Sequence, residues 1–470
     1  MTTIIKNGTL ITASETFQAD ILIEGETIAQ IGVNLNRPNA EVIDAAGKFI
    51  LPGGVDAHTH FDLPMFGTVS SDDHYTGHKA AAFGGTTTVM DFVPQEAQGF
   101  DASVDTWMAK AEKAAIDYSF HMNLTRFDEK IAREIPRLLQ RGISTLKVFT
   151  AYNGRLRLDD ASIFQALRIA RENGMLVMAH CENGDVIETL VAEALAAGRV
   201  SPEWHAHTRP AWGAVESTLH MAALAQQADA PVYIVHMNAG GEADMLRYAR
   251  ERGIKVMGET CPQYLFFTVE NLRQPDGAKW ICSPPMREKQ DNQRLWQGLQ
   301  DGTLQTIATD HCPFFFDGTR AISYEGEQVA IAGKELGKDD FTKIPNGLPG
   351  VQDRLPVLWT YGARAGKITP NQFVAYASTN PAKIFGLYPR KGALLPGADA
   401  DVVIWDMDKK VVYGAALSHQ RTDYNLYEGW ELTGYPEKVF LRGKLIVDGA
   451  RWLGKRGGGR FLKRGAGEVL

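Results

Sequence analysis

The middle of the chain alternates between short apolar runs and segments with helical periodicity. Residues 160–173 place apolar positions three and four apart, which predicts an amphipathic helix. A second helix is predicted from 214 to about 229, and Pro136 predicts a third that begins near Glu134. Eight runs alternating with helices favour a (β/α)8 barrel. The eight strand-like runs end near His58, Val93, Leu124, Phe149, His180, His236, Glu259 and Asp310.

The two ends of the chain share a different pattern. Short β-type runs broken by single glycines fill residues 3–44, and similar runs return between 401 and 448. Neither end has enough strands to bury a sheet face by itself. We therefore predict a small composite β-sandwich of residues 1–52 and 390–450, attached to a barrel of residues 53–389.

Composition narrows the class of protein. With 44% hydrophobic and 22% charged residues, the 470-residue chain has the composition of a soluble globular protein, which excludes collagen and a mostly disordered chain. We expect no membrane partner, because no apolar run reaches the roughly 18 residues of a membrane span. The start also lacks a signal-peptide pattern. The four cysteines are far apart and favour a reducing, cytoplasmic compartment: Cys181, Cys261, Cys282 and Cys312.

Residues 451–470 form a basic tail, in which six basic residues face one acidic residue for a net charge of +5. Because the whole chain carries −7, the first 450 residues carry −12. An acidic body repels nucleic-acid phosphates, so we expect no nucleic-acid partner. We expect the tail to contact a neighbouring subunit.

The pair His58 and His60 carries the most specific chemical signal. In an extended strand, residues two apart point to the same side, so both imidazoles can face one metal ion. The pair alone is weak, but His180, His236 and Asp310 also stand at the ends of predicted barrel strands. Those ends converge on one face, where barrel active sites lie, so a metal site is favoured over separate core residues. A catalytic zinc takes three protein ligands, so five residues suit two metal ions.

Two metal ions need a bridging group, and Lys147 at the end of the fourth predicted strand is the candidate. Cations would repel its ammonium form, whereas a carbamate formed with CO2 has the opposite charge. Taken alone, Lys147 is better explained as a surface lysine just beyond a strand. Both interpretations stay open at this point.

Several motifs together resemble the dihydropyrimidinase and D-hydantoinase family of cyclic amidohydrolases, within the amidohydrolase superfamily. The resemblance covers nearly the whole chain and implies a metal-binding barrel, a composite sandwich and a homotetramer. The motifs are specific as a set: GGVDAHTHFDLP from residue 53, LKVFTAY from 146, AHCEN from 179, TCPQYL from 260, SPP from 283, ATDHCP from 308 and PNGLPG from 345.

The resemblance also implies a reaction, the opening of hydantoins and 5,6-dihydropyrimidines to N-carbamoyl amino acids. A hydroxide that bridges two divalent ions would attack the ring carbonyl, with Asp310 as proton shuttle. The ions would be zinc, with manganese or cobalt as alternatives. The implied ligands are His58, His60 and Asp310 on one ion, His180 and His236 on the other, and carbamylated Lys147 between them.

Three further residues gain roles from the resemblance alone. It implies that Tyr152 donates a hydrogen bond to the developing oxyanion, and that Ser283 and Asn346 hold the cyclic amide substrate largely through backbone groups. Without the motifs, Tyr152 would be an ordinary half-buried tyrosine and Asn346 a turn residue.

Two other activities and one non-catalytic role are weighed against this reaction. Dihydroorotase has an arginine after the histidine pair, whereas Phe61 and Asp62 stand here, and Asp62 would repel the substrate carboxylate. Allantoinase shares the metal chemistry and is the main alternative. A non-catalytic scaffold of the same fold is disfavoured because all six ligand positions are filled.

One segment, residues 314–337, departs from the family pattern by its length and by three consecutive phenylalanines. A surface loop with packed aromatics is the simpler explanation. The sharper hypothesis is that residues 314–316 line the pocket and favour bulky ring substituents.

Overall fold

The structure is a computed structural model that describes residues 2–470. Its strands lie in two large sheets and two small hairpins. The first six, in chain order, are β1 (Thr2–Ile11), β2 (Thr16–Glu24), β3 (Thr27–Gly32), β4 (Glu41–Asp44), β5 (Phe49–Pro52) and β6 (Gly54–Thr59). The next nine are β7 (Pro64–Met65), β8 (Thr68–Val69), β9 (Thr86–Val93), β10 (Asp117–Asn123), β11 (Thr145–Phe149), β12 (Leu176–His180), β13 (Val232–Ile234), β14 (Val256–Thr260) and β15 (Thr306–Ile307). The last six are β16 (Ile322–Tyr324), β17 (Glu327–Val329), β18 (Val402–Val412), β19 (Glu431–Leu441), β20 (Lys444–Asp448) and β21 (Arg451–Trp452).

Eight parallel strands form the barrel that the apolar runs predict. They are hydrogen-bonded in the order β6, β9, β10, β11, β12, β13, β14, β15. A parallel bridge between Thr59 and His311 brings the first strand back to the chain after the last. The His60 N–H donates to His311 O at 2.8 Å, which completes the closure. The predicted (β/α)8 class is confirmed, and the carboxyl ends of the strands therefore face one common site.

The helices lie mostly between the barrel strands. None within residues 2–470 is both long and apolar enough to cross a bilayer. The first seven are α1 (Thr76–Phe83), α2 (Phe100–Ala111), α3 (Glu129–Glu134), α4 (Asp160–Glu172), α5 (Gly184–Ala196), α6 (Trp204–His207) and α7 (Ala211–Ala228). The others are α8 (Gly240–Arg250), α9 (Pro262–Phe266), α10 (Val269–Leu272), α11 (Lys289–Gln300), α12 (Arg354–Leu358), α13 (Pro370–Val374) and α14 (Asn380–Ile384).

Capping side chains explain where the predicted helices begin. The Asp159 carboxylate accepts from Ser162 N at 2.8 Å, so α4 begins where its periodicity predicts. A 3₁₀ helix (Ile135–Leu139) begins directly after Glu134 and has Pro136 in its first turn, as predicted. It continues α3, which begins earlier, at Glu129, because Asp128 caps it through Ile131 N.

The terminal strands form one nine-stranded sheet, which confirms that both ends of the chain build a single unit. Strand β5 joins the two halves, because it pairs parallel with β1 and antiparallel with β18. Alternating residues of six strands, with Leu394 and Ala400, pack in an apolar cluster separate from the barrel interior. The strands belong to one hydrogen-bonded sheet rather than to two separate ones, and the boundaries at residues 52 and 390 stay predictions.

The basic tail crosses the amino-terminal ends of barrel strands in its own chain. The Tyr118 N–H donates to Arg460 O at 3.0 Å, and the Leu462 N–H donates to Tyr118 O at 2.7 Å. Buried Arg464 donates through Nε to Ser119 Oγ and through Nη2 to Thr145 Oγ1, both at 2.8 Å. The tail is therefore part of the barrel floor, and its contact with another subunit stays a prediction.

Leu462 provides a direct test of that floor, because its side chain is fully buried among interior barrel residues such as Val55 and Met90. We expect Leu462→Ala to lower the free energy of unfolding by about 2–5 kcal/mol through lost burial and the cavity left behind. Urea denaturation measures this change. Val469→Ala, at a side chain 48% exposed in the same tail, should change the free energy by less than about 0.5 kcal/mol. Equal unfolding midpoints for the two variants would contradict the assignment.

Candidate metal centre

The candidate ligands come from five barrel strands and the residues that follow them. His58 lies in β6, Lys147 in β11 and His180 at the end of β12. His236 and Asp310 stand two and three residues beyond β13 and β15, and both have left-handed backbones, with φ of 38° and 54°. Such backbone conformations are strained for residues with side chains and concentrate at functional sites. Here they turn each side chain after its strand has ended.

The Asp310 carboxylate contacts both His58, in β6, and His60, which directly follows this strand. His58 Nε2 and His60 Nε2 each lie 3.1 Å from the same oxygen, Asp310 Oδ1. The negative charge of Asp310 is stabilised there, since His58 and His60 outweigh burial and hold the pKa of Asp310 well below its usual range. Burial disfavours the charged form of His58, but Asp310 and Glu259 outweigh it and raise the pKa of His58 to about 9.

The other two histidines contact each other beside this group. His180 Nδ1 lies 3.0 Å from His236 Nε2, and the rings of His58 and His236 have their centres 5.3 Å apart. Potential ligand atoms of His58, His236 and Asp310 all lie within 4.8 Å of one another. The structure therefore brings together all four predicted histidines and the predicted aspartate.

Two carboxylates behind the histidines were not assigned a role from the sequence. Glu259 Oε1 lies 2.7 Å from His58 Nδ1, and Glu182 Oε2 lies 2.9 Å from His180 Nε2. Arg209 Nη1 donates to the same oxygen of Glu182 at 2.8 Å. A signal was present, because Glu259 ends an apolar strand run and Glu182 lies two residues beyond His180.

The hydrogen bonds of Glu259 and Glu182 show whether the histidine nitrogens are arranged to bind metal ions. Each carboxylate accepts a hydrogen bond from one ring nitrogen, so in the neutral imidazole the lone pair of the other nitrogen, His58 Nε2 or His180 Nδ1, faces the other candidate ligands. At His58, that lone pair faces the Asp310 carboxylate, and two acceptors at 3.1 Å repel unless a cation or proton lies between them. Histidine nitrogens and a carboxylate are the donors that zinc and related ions take. The residues fit divalent metal ions.

Lys147 is buried rather than on the surface, with 2% of the residue exposed. Its Nζ lies 4.9 Å from the ring centre of Phe92 and 5.4 Å from that of Phe149. Within residues 2–470 this Nζ forms neither a hydrogen bond nor an ion pair. Burial outweighs the attraction of Asp310 and Glu259 and lowers the pKa of Lys147 to about 8.

Of the three predicted substrate-binding residues, Tyr152 lies beside His180, and Ser283 and Asn346 contact each other. The ring centres of Tyr152 and His180 are 5.1 Å apart, and burial raises the pKa of Tyr152 despite opposing effects of Arg209 and a hydrogen bond with Ser283. Asn346 Nδ2 donates to Ser283 Oγ at 3.0 Å, so these two polar side chains meet as well.

The three phenylalanines after the last strand behave as packed aromatics. Phe314 and Phe315 are fully buried, and Phe316 packs against Lys279, whose Nζ lies 4.9 Å from the ring centre. Their segment also carries the hairpin of β16 and β17. The structure therefore agrees with the simpler explanation, a loop with packed aromatic side chains.

Comparisons with known proteins agree with this fold and site. Residues 49–446 match the amidohydrolase family. The chain is 43% identical to a D-hydantoinase of Geobacillus stearothermophilus and 42% identical to one of Streptomyces coelicolor, over 99% and 100% of its length and 97% and 99% of theirs. It superimposes with a TM-score of 0.95 on the crystal structure of a dihydropyrimidinase from Brevibacillus agri, at 44% identity and with all of both chains covered.

The chain therefore belongs to the amidohydrolase family. The resemblance to dihydropyrimidinases and D-hydantoinases that its motifs predict is confirmed over the full length.

Proposed function

We propose that this enzyme is a metal-dependent cyclic amidohydrolase that opens hydantoins and 5,6-dihydropyrimidines to N-carbamoyl amino acids. One observation carries the proposal: four histidines, Asp310 and Lys147 converge at the carboxyl end of the barrel. The names of full-length relatives, D-hydantoinase and dihydropyrimidinase, support the same reaction.

The proposed ligands form two groups, one for each metal ion, and the members of each group contact one another. His58, His60 and Asp310 hold one divalent ion, and His180 and His236 hold the other. When bound, two such ions lower the pKa of water towards neutrality and polarise a carbonyl. We assign zinc, with manganese or cobalt as substitutes, because imidazole and carboxylate donors suit all three.

Lys147 completes this site as a carbamate. Its amine adds to CO2 with loss of one proton, which gives an anion with two oxygens. The burial of Lys147 without a hydrogen-bonding partner supports this modification, since a buried amine near four histidines otherwise lacks compensation. The charge that would repel the ions is thereby reversed.

Asp310 transfers the proton, and Tyr152 stabilises the negative charge that develops on the carbonyl oxygen. Asp310 accepts a proton from the attacking water as the C–O bond forms, and it returns that proton to the ring nitrogen as the C–N bond breaks. The Tyr152 hydroxyl donates to the carbonyl oxygen as negative charge develops there. Burial keeps the phenol protonated, which suits a donor. Ser283 and Asn346, joined by their hydrogen bond, hold the amide edge of the ring.

Tyr152→Phe tests the oxyanion role because it removes only the hydroxyl. We expect kcat for hydantoin to fall by about 10²–10³-fold, the cost of removing one donor to an oxyanion. Steady-state kinetics and metal analysis measure the effect. Tyr248→Phe, on an exposed tyrosine of α8, is the matched control and should leave kcat unchanged. Equal kcat values for Tyr152→Phe and wild type would remove Tyr152 from the mechanism.

A substrate panel tests the proposed function itself. Metal-loaded protein is incubated with hydantoin, dihydrouracil and 5-phenylhydantoin, and with allantoin and dihydroorotate as alternatives. We expect turnover in the first group, and the order of rates identifies the preferred ring. Turnover confined to allantoin would make the enzyme an allantoinase.

We also propose a homotetramer in the cytoplasm. Exposed apolar side chains on neighbouring helices, Val186 and Leu195 of α5 and Trp212 of α7, support a subunit interface. Four buried cysteines without a disulfide support a reducing compartment.

A further inference from the structure

Lys334 is a buried lysine outside the metal centre. It begins a 3₁₀ turn (Lys334–Gly337) in the long segment after β15, and only 1% of the residue is exposed. Within residues 2–470, no carboxylate forms an ion pair with its Nζ. Instead, Nζ donates to two backbone carbonyls, Ile281 O at 3.0 Å and Pro345 O at 3.1 Å. Burial lowers the pKa of Lys334 to about 7, and the two carbonyl bonds are the polar contacts that compensate its buried amino group.

The two carbonyls belong to the two segments proposed to bind substrate. Ile281 precedes Ser283 by two residues, and Pro345 directly precedes Asn346. Ile281 O also accepts from the Gly347 N–H at 3.0 Å. The Ser283 and Asn346 segments are joined by the hydrogen bond between their side chains. The Lys334 amino group adds a second link between them, because it donates to a carbonyl of each.

The position of Lys334 is itself fixed by the surrounding backbone. The Lys334 N–H donates to Phe315 O at 2.7 Å, which ties it to the buried phenylalanines. At Gly333, an added Cβ would lie 2.0 Å from the same oxygen, so the close approach requires glycine. The neighbouring Ala332 O accepts from Thr68 Oγ1 at 2.5 Å, in the β7–β8 hairpin that follows His60. Residues 332–334 thus contact the Ser283 and Asn346 segments, the buried phenylalanines and the β7–β8 hairpin.

We propose that Lys334 is a positioning residue, which holds the Ser283 and Asn346 segments at the separation that a cyclic amide requires. The inference rests on the proposed function, since it assumes that these segments bind the ring. Lys334 does not touch the reacting atoms, so its loss affects substrate binding more than the chemical step.

Lys334→Met tests the proposal because it keeps an unbranched side chain of similar length and removes the amino group with its donors. We expect KM for hydantoin to rise by about tenfold, the equivalent of one hydrogen bond to a charged group. kcat should stay within about threefold and metal content unchanged, because nothing on the metal centre is removed. Lys338→Met, on the exposed lysine four residues later, should leave both constants unchanged.

Hydrogen exchange gives a readout that does not depend on activity. Mass spectrometry of a peptide covering 344–350 should show about tenfold faster exchange in Lys334→Met than in wild type, because Ile281 O, the acceptor of the Gly347 N–H, is no longer held in place by Lys334. Lys334→Gln, which keeps one donor, should be intermediate, and it replaces the methionine variant if that variant does not fold.

The outcomes separate this inference from the proposed function. A raised KM with faster exchange supports the positioning role. Normal KM values in a variant that opens rings would overturn the positioning role and leave the proposed function intact. If wild-type protein opens no ring, the proposed function fails, and unchanged exchange rates in the variant would overturn the cross-link as well.

Discussion

Lys147→Ala should abolish ring opening, with a fall in kcat/KM of about 10⁴-fold, because a site without the proposed carbamate would no longer hold a full pair of ions to polarise the carbonyl. The physical reason is the position of Lys147, which is buried among the candidate ligands with no partner of its own. Without a carbamate, five neutral or singly charged ligands would hold two divalent ions poorly. We therefore expect metal content to fall below two ions per chain. Steady-state kinetics and elemental analysis measure the two effects.

A matched control distinguishes the specific role of Lys147 from the effect of replacing any lysine by alanine. Lys130→Ala removes an exposed lysine of α3, with 59% of its side chain accessible, and should leave activity and metal content unchanged. Acetate added to Lys147→Ala should restore part of the activity by placing a carboxylate in the vacated space. A Lys147→Ala enzyme that keeps wild-type activity would show that no carbamate is needed.

Asp310→Asn should lower kcat by about 10²–10⁴-fold, because an amide cannot carry a proton between water and the leaving nitrogen. The substitution keeps the shape of the side chain, which lies against His58 and His60. KM should change much less than kcat, since the substrate contacts lie elsewhere. Stopped assays with hydantoin, corrected for metal content, measure the loss.

Asp317→Asn is the control, because this aspartate lies seven residues later, on the side of the segment that faces solvent. It should leave kcat unchanged. An Asp310→Asn variant that binds two metal ions and turns over at the wild-type rate would assign the proton transfer to another group.

The barrel could be predicted because its strands are wholly buried apolar runs that end at polar residues. His58, His180 and Asp310 stand where those runs stop, so the carboxyl-end rule places them together without any contact being known. Lys147 was ambiguous for the same reason: a lysine at a strand end is common, and only its burial in the closed barrel separates a cavity residue from a surface residue.

Other features depend on contacts between distant segments and left no local pattern. Glu259 forms a hydrogen bond with His58, which is 201 residues away in the chain. Lys334 donates to backbone carbonyls, which a pattern of side chains does not predict. The basic charge of the tail predicts a contact with a neighbouring subunit, and that contact stays a prediction. The contacts of the tail with its own barrel left no charge pattern, because backbone atoms and buried side chains such as Leu462 make them.

The most direct test of the central claim is the product formed from hydantoin. Purified protein loaded with zinc in the presence of bicarbonate is incubated with hydantoin, and N-carbamoylglycine is quantified by mass spectrometry. We predict one product molecule per ring consumed, at a rate proportional to enzyme and absent in Lys147→Ala. Intact hydantoin after prolonged incubation with protein that carries two metal ions per chain would contradict the account.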